Sequence, residues 1–226
     1  MAALPMFPLG SVLFPHMPLL LRVFEPRYLV MLSRMLDATP AEFGVVLIER
    51  GQEVGGGERR FSVGTVARIT EVGTTDGAFA LVAHGGRRIR VLDWLPEDPH
   101  PVAETEELAA LVWSEDARPL LEQAELVVRR ALARASEFIE SPWPSDVALS
   151  DDPVEAAWQL AGIAPLGEID QLRLLEATSV RGLLASILDL TIASGEMLAP
   201  PWQDGGDPGE GDPEDPDASG PFGLGG

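Results

Sequence analysis

Three histidines, sixteen arginines and thirty-six acids are the side chains with which this chain of 226 residues could do chemistry. It has no cysteine and no lysine. The first absence excludes thiolate nucleophiles, thiolate metal sites and disulfides. The second excludes the lysine of a phosphate loop, the Ser–Lys dyad and Schiff-base chemistry. Gly55-Gly56-Gly57 accordingly has no Lys-Ser/Thr after it. His16 stands in a proline-rich turn, His84 before two glycines and His100 in the loop PEDPHP. None has a partner at helical metal-site spacing, so all three are expected in exposed loops and no metal is expected. No Gly-x-Ser-x-Gly turn presents a serine nucleophile. The densest basic cluster is GGRRIRV, Gly85 to Val91, with Arg59 and Arg60. Arginine grips phosphate or carboxylate with a planar fork of donors. Against a net charge of −20, the cluster reads instead as an exposed strand face paired with Glu104, Glu106 and Glu107. No catalytic, cofactor-binding or metal residue is assigned, and the chain is not expected to be an enzyme.

The elements that hold these groups are read from periodicity. Pro5 to Tyr28, PMFPLGSVLFPHMPLLLRVFEPRY, is too apolar for a surface. Prolines at 8, 15 and 18 divide it into two short strands, expected at sheet edges or bent corners. Tyr28, Met31, Leu32, Met35 and Leu36 then form the stripe of a helix that begins at Pro26. Phe43 to Glu49 is a continuous β-branched run, expected as a central strand buried on both faces. Arg50 to Arg60 is a glycine-rich loop. Ser62 to Thr75 is a strand in which Gly64 marks a bulge or a close backbone approach. Asp76-Gly77 is a hairpin turn. Ala78 to Ala83 follows, Gly85-Gly86 is expected to turn again, and Arg87 to Leu95 and Val102 to Leu108 are further strands.

The second half is helical. Leu120, Leu121, Ala124, Val128, Ala131, Leu132, Ala135, Phe138 and Ile139 mark the buried side of a helix from about Asp116 to Glu140. Asp152-Pro153-Val154-Glu155 has the pattern of a helix start, with cap, N1 proline and N3 acid. Segments 167–177 and 180–197 are two more helices, with Leu172, Leu175, Leu183, Leu184, Ile187 and Leu188 in the core. From Asp204 the chain is glycine, proline and seven acids with no base, and is expected to be disordered. The expected fold is α+β, with a β-rich half at 1–110, an α-helical half at 111–200 and an acidic tail at 201–226. No positively charged leader opens the chain, and no stretch of roughly 20 apolar residues crosses a bilayer. A cytoplasmic protein is expected.

The run FPLGSVLFPHMPLLLRVFEPRY resembles the opening of the Lon N-terminal, or substrate-binding, domain family. The likeness continues at VGTVARITEV (Val63 to Val72), GGRRIRVLDWL (Gly85 to Leu95) and WQLAGIAPLGEIDQLRLLEATSVRGLLASIL (Trp158 to Leu188), and covers most of residues 4 to 198. It implies a PUA-like β pseudo-barrel followed by an α-helical bundle. It also implies a protein that recognises unfolded or tagged polypeptide, or a protease or adaptor component; the missing lysine makes a non-catalytic role the expectation, no cofactor is expected, and the net charge of −20 disfavours nucleic acid and anionic membrane. Met17, Leu19, Phe24, Tyr28 and Met31 are the candidate peptide-binding surface, because Met and aromatic side chains adapt to varied partners. Exposed in a groove, they would bind extended chain; buried, they are core. A scaffold with one stable partner, and a small-molecule or RNA binder on the same fold, are the alternatives.

Overall fold

The computed structural model describes residues 2–36, 39–48, 59–75, 78–136 and 142–197. Strands β1 (Ala2–Leu9) and β2 (Pro18–Val23) precede helix α1 (Pro26–Leu36). Strands β3 (Glu42–Ile48), β4 (Arg60–Thr75), β5 (Ala78–Leu95) and β6 (Val102–Glu107) follow. A single 3-10 turn (Glu115–Ala117) then leads into α2 (Arg118–Ala135), α3 (Pro153–Ile163), α4 (Glu168–Leu175) and α5 (Val180–Met197). The expected loop at 50–60, the Asp76-Gly77 turn, Phe138, Ile139 and the acidic tail lie wholly or mostly outside the described residues.

The six strands run in the order β2-β5-β4-β3-β1-β6, and a further β5–β6 pairing closes a ring that is not an even barrel. β5 makes the closure. Its first half pairs with β2 and its second half with β6, while β4 runs along both. β1 is a bent corner. Ala2–Pro5 pair with β6, then Met6–Leu9 pair in parallel with β3. Because each half of β1 has one partner, Pro5 and Pro8 have a side on which the missing N–H breaks no ladder.

Two apolar clusters fill the molecule. Met6, Val46, Val66, Ile89, Val91 and Ala103 form the smaller one. A Cβ at Gly44 would collide with the Met6 sulfur, so glycine there is the notch for Met6. The larger cluster is continuous from strands to helices. Tyr28 of α1 stacks on Phe7 at 4.1 Å, and Phe14 meets Trp158 of α3 at 6.1 Å. β3, apolar after Glu42, is buried from Phe43 to Leu47, as its run predicts. Helix α2 buries Ala124, Val128, Leu132 and Ala135. All six of the leucines and isoleucine expected in the core of α4 and α5 are buried. Asp152 caps α3 by accepting from the N–H groups of Val154 and Glu155 at 2.9 and 3.0 Å.

One expected turn is absent. β5 passes straight through Gly85-Gly86. Gly85 donates its N–H to Met17 O and accepts from His16 N–H, at 2.9 and 2.8 Å. A Cβ at Gly85 would strike the Phe14 carbonyl oxygen. The glycine therefore serves a close backbone approach, which sequence cannot separate from a turn. Gly64 has the role expected of it, pressed against the Val45 carbonyl. A Cβ at Gly86 has nothing nearer than Val66 O at 3.4 Å. Gly85→Ala should therefore destabilise the protein by about 2 kcal/mol or more, and Gly86→Ala by less than about 1 kcal/mol, in urea unfolding. Equal losses would contradict this division between the two glycines.

Candidate functional site

The candidate peptide-binding residues separate into two groups. Met17, Tyr28 and Met31 are buried. Met17 is seated against Gly162 of α3, where a Cβ would stand 2.7 Å from its Cγ. Tyr28 and Met31 lie on the inward stripe of α1. These three follow the buried alternative: the stripe that makes α1 amphipathic turns Tyr28 and Met31 inward, and Met17 packs against α3. Leu19 is half-buried, and Phe24 is 69% exposed just after β2. Leu20, expected off the surface with the rest of this apolar run, is 75% exposed, and Phe24 departs from the same expectation. The signal was available: in a strand, alternate residues face opposite sides, so Leu19, Leu21 and Val23 turning inward puts Leu20 and Arg22 outward.

β2 is the last strand of the sheet. On one side it pairs with β5 in unbroken register, from Pro18↔His84 to Val23↔Phe79. On the other, no described strand pairs with it. Across the ladder, Leu20 stands beside Val82 and Arg22 beside Ala80. The next strand places Gly73 opposite Ala80. The outward side of this corner is thus small across from Arg22, and the exposed Glu71 of β4 stands opposite Val82 in the row of Leu20.

The arginine cluster is divided as well. Arg87 pairs with Glu42 at 2.8 Å and Glu107 at 3.6 Å, and Arg90 with Glu106 at 3.6 Å. The pairs with Glu106 and Glu107 are exposed strand-face pairs of the kind expected, Glu42 is an added partner from β3, and each adds little stability. Arg88 is different. It is 6% exposed and donates to the carbonyl oxygens of Leu175, Ala177 and Ala109 at 2.8, 2.6 and 2.8 Å. Its guanidinium also lies 4.9 Å from the Trp158 ring centroid. Burial pulls its pKa below the ordinary arginine value, but arginine retains its charge in proteins. Arg88 therefore joins β5 to the end of α4 and is committed internally. It is unavailable to an external phosphate or carboxylate.

The histidines do not gather. His16 takes a left-handed backbone, φ 61°, and approaches Glu155 at 3.4 Å. His84 is exposed on β5. His100 departs from the exposed position expected of it, being 3% exposed. Its Nδ1 lies 3.2 Å from the Pro101 carbonyl and its Nε2 3.5 Å from the Arg34 guanidinium. Donation from Nδ1 to the carbonyl leaves Nε2 to accept from Arg34, a structural anchor for the loop between β5 and β6. Glu25 accepts from Arg27 at 3.0 Å, the local pair expected at the entry to α1.

Among the described residues, no helix is long and apolar enough to cross a membrane. None of the curated proteins compared with the chain matches it. Two solved structures match closely over their length. A Lon N-terminal domain protein from Xanthomonas campestris has 27% identity and a TM-score of 0.60, covering 84% of this chain and 98% of that one. The N-terminal domain of a Mycobacterium avium complex Lon protease has 19% identity and the same TM-score and coverage, a likeness of fold. The family model for the substrate-binding domain of ATP-dependent protease La (Lon) matches residues 3–192, and no ATPase or protease domain is found. With the strand ring and helices in the places that resemblance implied, the chain belongs to the Lon substrate-binding domain family.

Proposed function

We propose that this protein is a non-catalytic polypeptide-binding member of its family, which recognises exposed or unfolded chain and serves proteolysis as an adaptor. The observation that carries this reading is the apolar surface at β2, where Leu20 and Phe24 stand in solvent beside a sheet edge. Large apolar side chains grouped at one edge mark a contact surface more than isolated ones do. The family's substrate-binding description supplies the class of partner. The Ser–Lys dyad cannot be built from a chain without lysine. In this reading polypeptide binds on the strand-rich part, and the helices meet the protease component.

Fluorescence anisotropy of a labelled, permanently unfolded polypeptide, titrated with the full chain with and without ATP, tests the reading. Saturable binding should appear in both conditions, and gels of the same samples should show uncut polypeptide. Absence of binding contradicts the proposal, and so does cleavage that survives repurification. The surface is tested separately by comparing two aromatic residues. Phe24→Ser should lower affinity about fivefold and leave the urea midpoint unchanged. Tyr28→Ala should instead lose roughly 3 kcal/mol of stability, because it empties a buried stack on Phe7. Undiminished affinity in Phe24→Ser would remove this surface from the site.

A further inference from the structure

The open edge of β2 has a feature that an exposed apolar patch alone lacks. In an antiparallel ladder, alternate residues direct both N–H and C=O away from their partner. On β2 these groups meet no described strand on the outer side. Proteins ordinarily block such edges with proline, charge or a bulge. Here the one proline is Pro18, the first residue of the strand, and the β2–β5 register has no shift, whereas β3–β4 and β5–β6 have one each and β4–β5 has two. Leu19–Val23 is thus a regular edge whose outward backbone groups, at alternate residues, face no described strand, with Arg22 as its one charge.

That charge also defines an occupant. Among the described residues the Arg22 side chain has no hydrogen bond or ion pair, whereas Arg68, Arg87 and Arg90, elsewhere on β4 and β5, are each paired to acids. Leu20 and Phe24, two residues to either side of it, are both exposed. The alternate positions therefore read apolar, cation, apolar.

We propose that β2 binds an extended polypeptide by strand addition, and that the preferred segment carries apolar, acidic and apolar side chains at alternate positions. The backbone supplies affinity that does not depend on sequence. Leu20, Arg22 and Phe24 supply the preference. The pattern is symmetric about the acid, so either strand direction satisfies it. This inference rests on the polypeptide-binding reading above and specifies its mode.

The probes are a fluorescein-labelled Ser-Leu-Ser-Asp-Ser-Leu-Ser peptide and its copies N-methylated on one or the other alternate set of amides, titrated against the full chain. Methylation on the set that faces β2 should lower affinity about tenfold, and on the other set less than about twofold. Arg22→Glu should lower affinity for the acidic peptide about fivefold and raise it for the same peptide with Lys in place of Asp. Leu20→Lys with unchanged folding should weaken both peptides. If the unfolded polypeptide binds but neither methylation pattern nor charge exchange alters peptide affinity, strand addition is overturned and the broader reading stands. If nothing binds, both are overturned. A concentration-dependent dimer that dissociates in Leu20→Lys would place a second copy on the edge and likewise overturn the proposal.

Discussion

A buried guanidinium holds this structure together. Arg88 sits where β5 passes under the helices, and its donors reach one carbonyl after β6 and two around the end of α4. Removing an arginine from water is expensive unless its donors are met. Three carbonyl acceptors and the face of Trp158 meet them here. Those carbonyls gain in turn, since the last carbonyl groups of a helix have no partner within it and favour a nearby cation. Neither half could satisfy these groups alone. The larger apolar cluster crosses the same boundary, so packing and polar bonding agree on how strands and helices sit together.

This arrangement bears on where a partner can bind. The inward face of β2 is committed to the core through Val23, and Met17 just before it is held in the Gly162 notch. What remains for recognition is the outward face and the free edge. β5 is shared along its length between two neighbours, β2 first and β6 second. The ring closes on the β6 side, and β2 is left outside it as the terminal strand. The open edge follows from that topology. An evenly closed barrel has no such edge to offer.

Much of this was legible in sequence wherever one local rule decided the outcome. The i, i+3, i+4 stripe located α1, the β-branched run located β3, and Asp152-Pro153 located the start of α3. The rest depended on contacts distant in sequence. Arg88 looks like Arg87 and Arg90 in the string RRIR, but its acceptors are backbone carbonyls 21, 87 and 89 residues away, and a carbonyl carries no residue signature. Gly85 reads as a turn until the Phe14 carbonyl is brought against it. His100 lies in a proline-rich stretch that suggests a surface loop, yet Arg34 and the Pro101 carbonyl enclose it. The apolar rim was identified by residue type, and Met and Tyr suit a core as well as a groove. Strand alternation was the better guide, because it separates Leu20 from Leu19.

The most direct test of this account is the unfolding of Arg88→Met, which keeps the aliphatic stem and removes the donors, followed by hydrogen exchange. Three carbonyls lose their partner, so stability should fall by roughly 3 kcal/mol, with protection lost first in α4 and the start of α5. Arg90→Met, which removes only a surface pair, should change stability by less than about 1 kcal/mol. If Arg88→Met unfolds at the same urea concentration as Arg90→Met and α4 keeps its protection, the guanidinium is not what joins strands to helices.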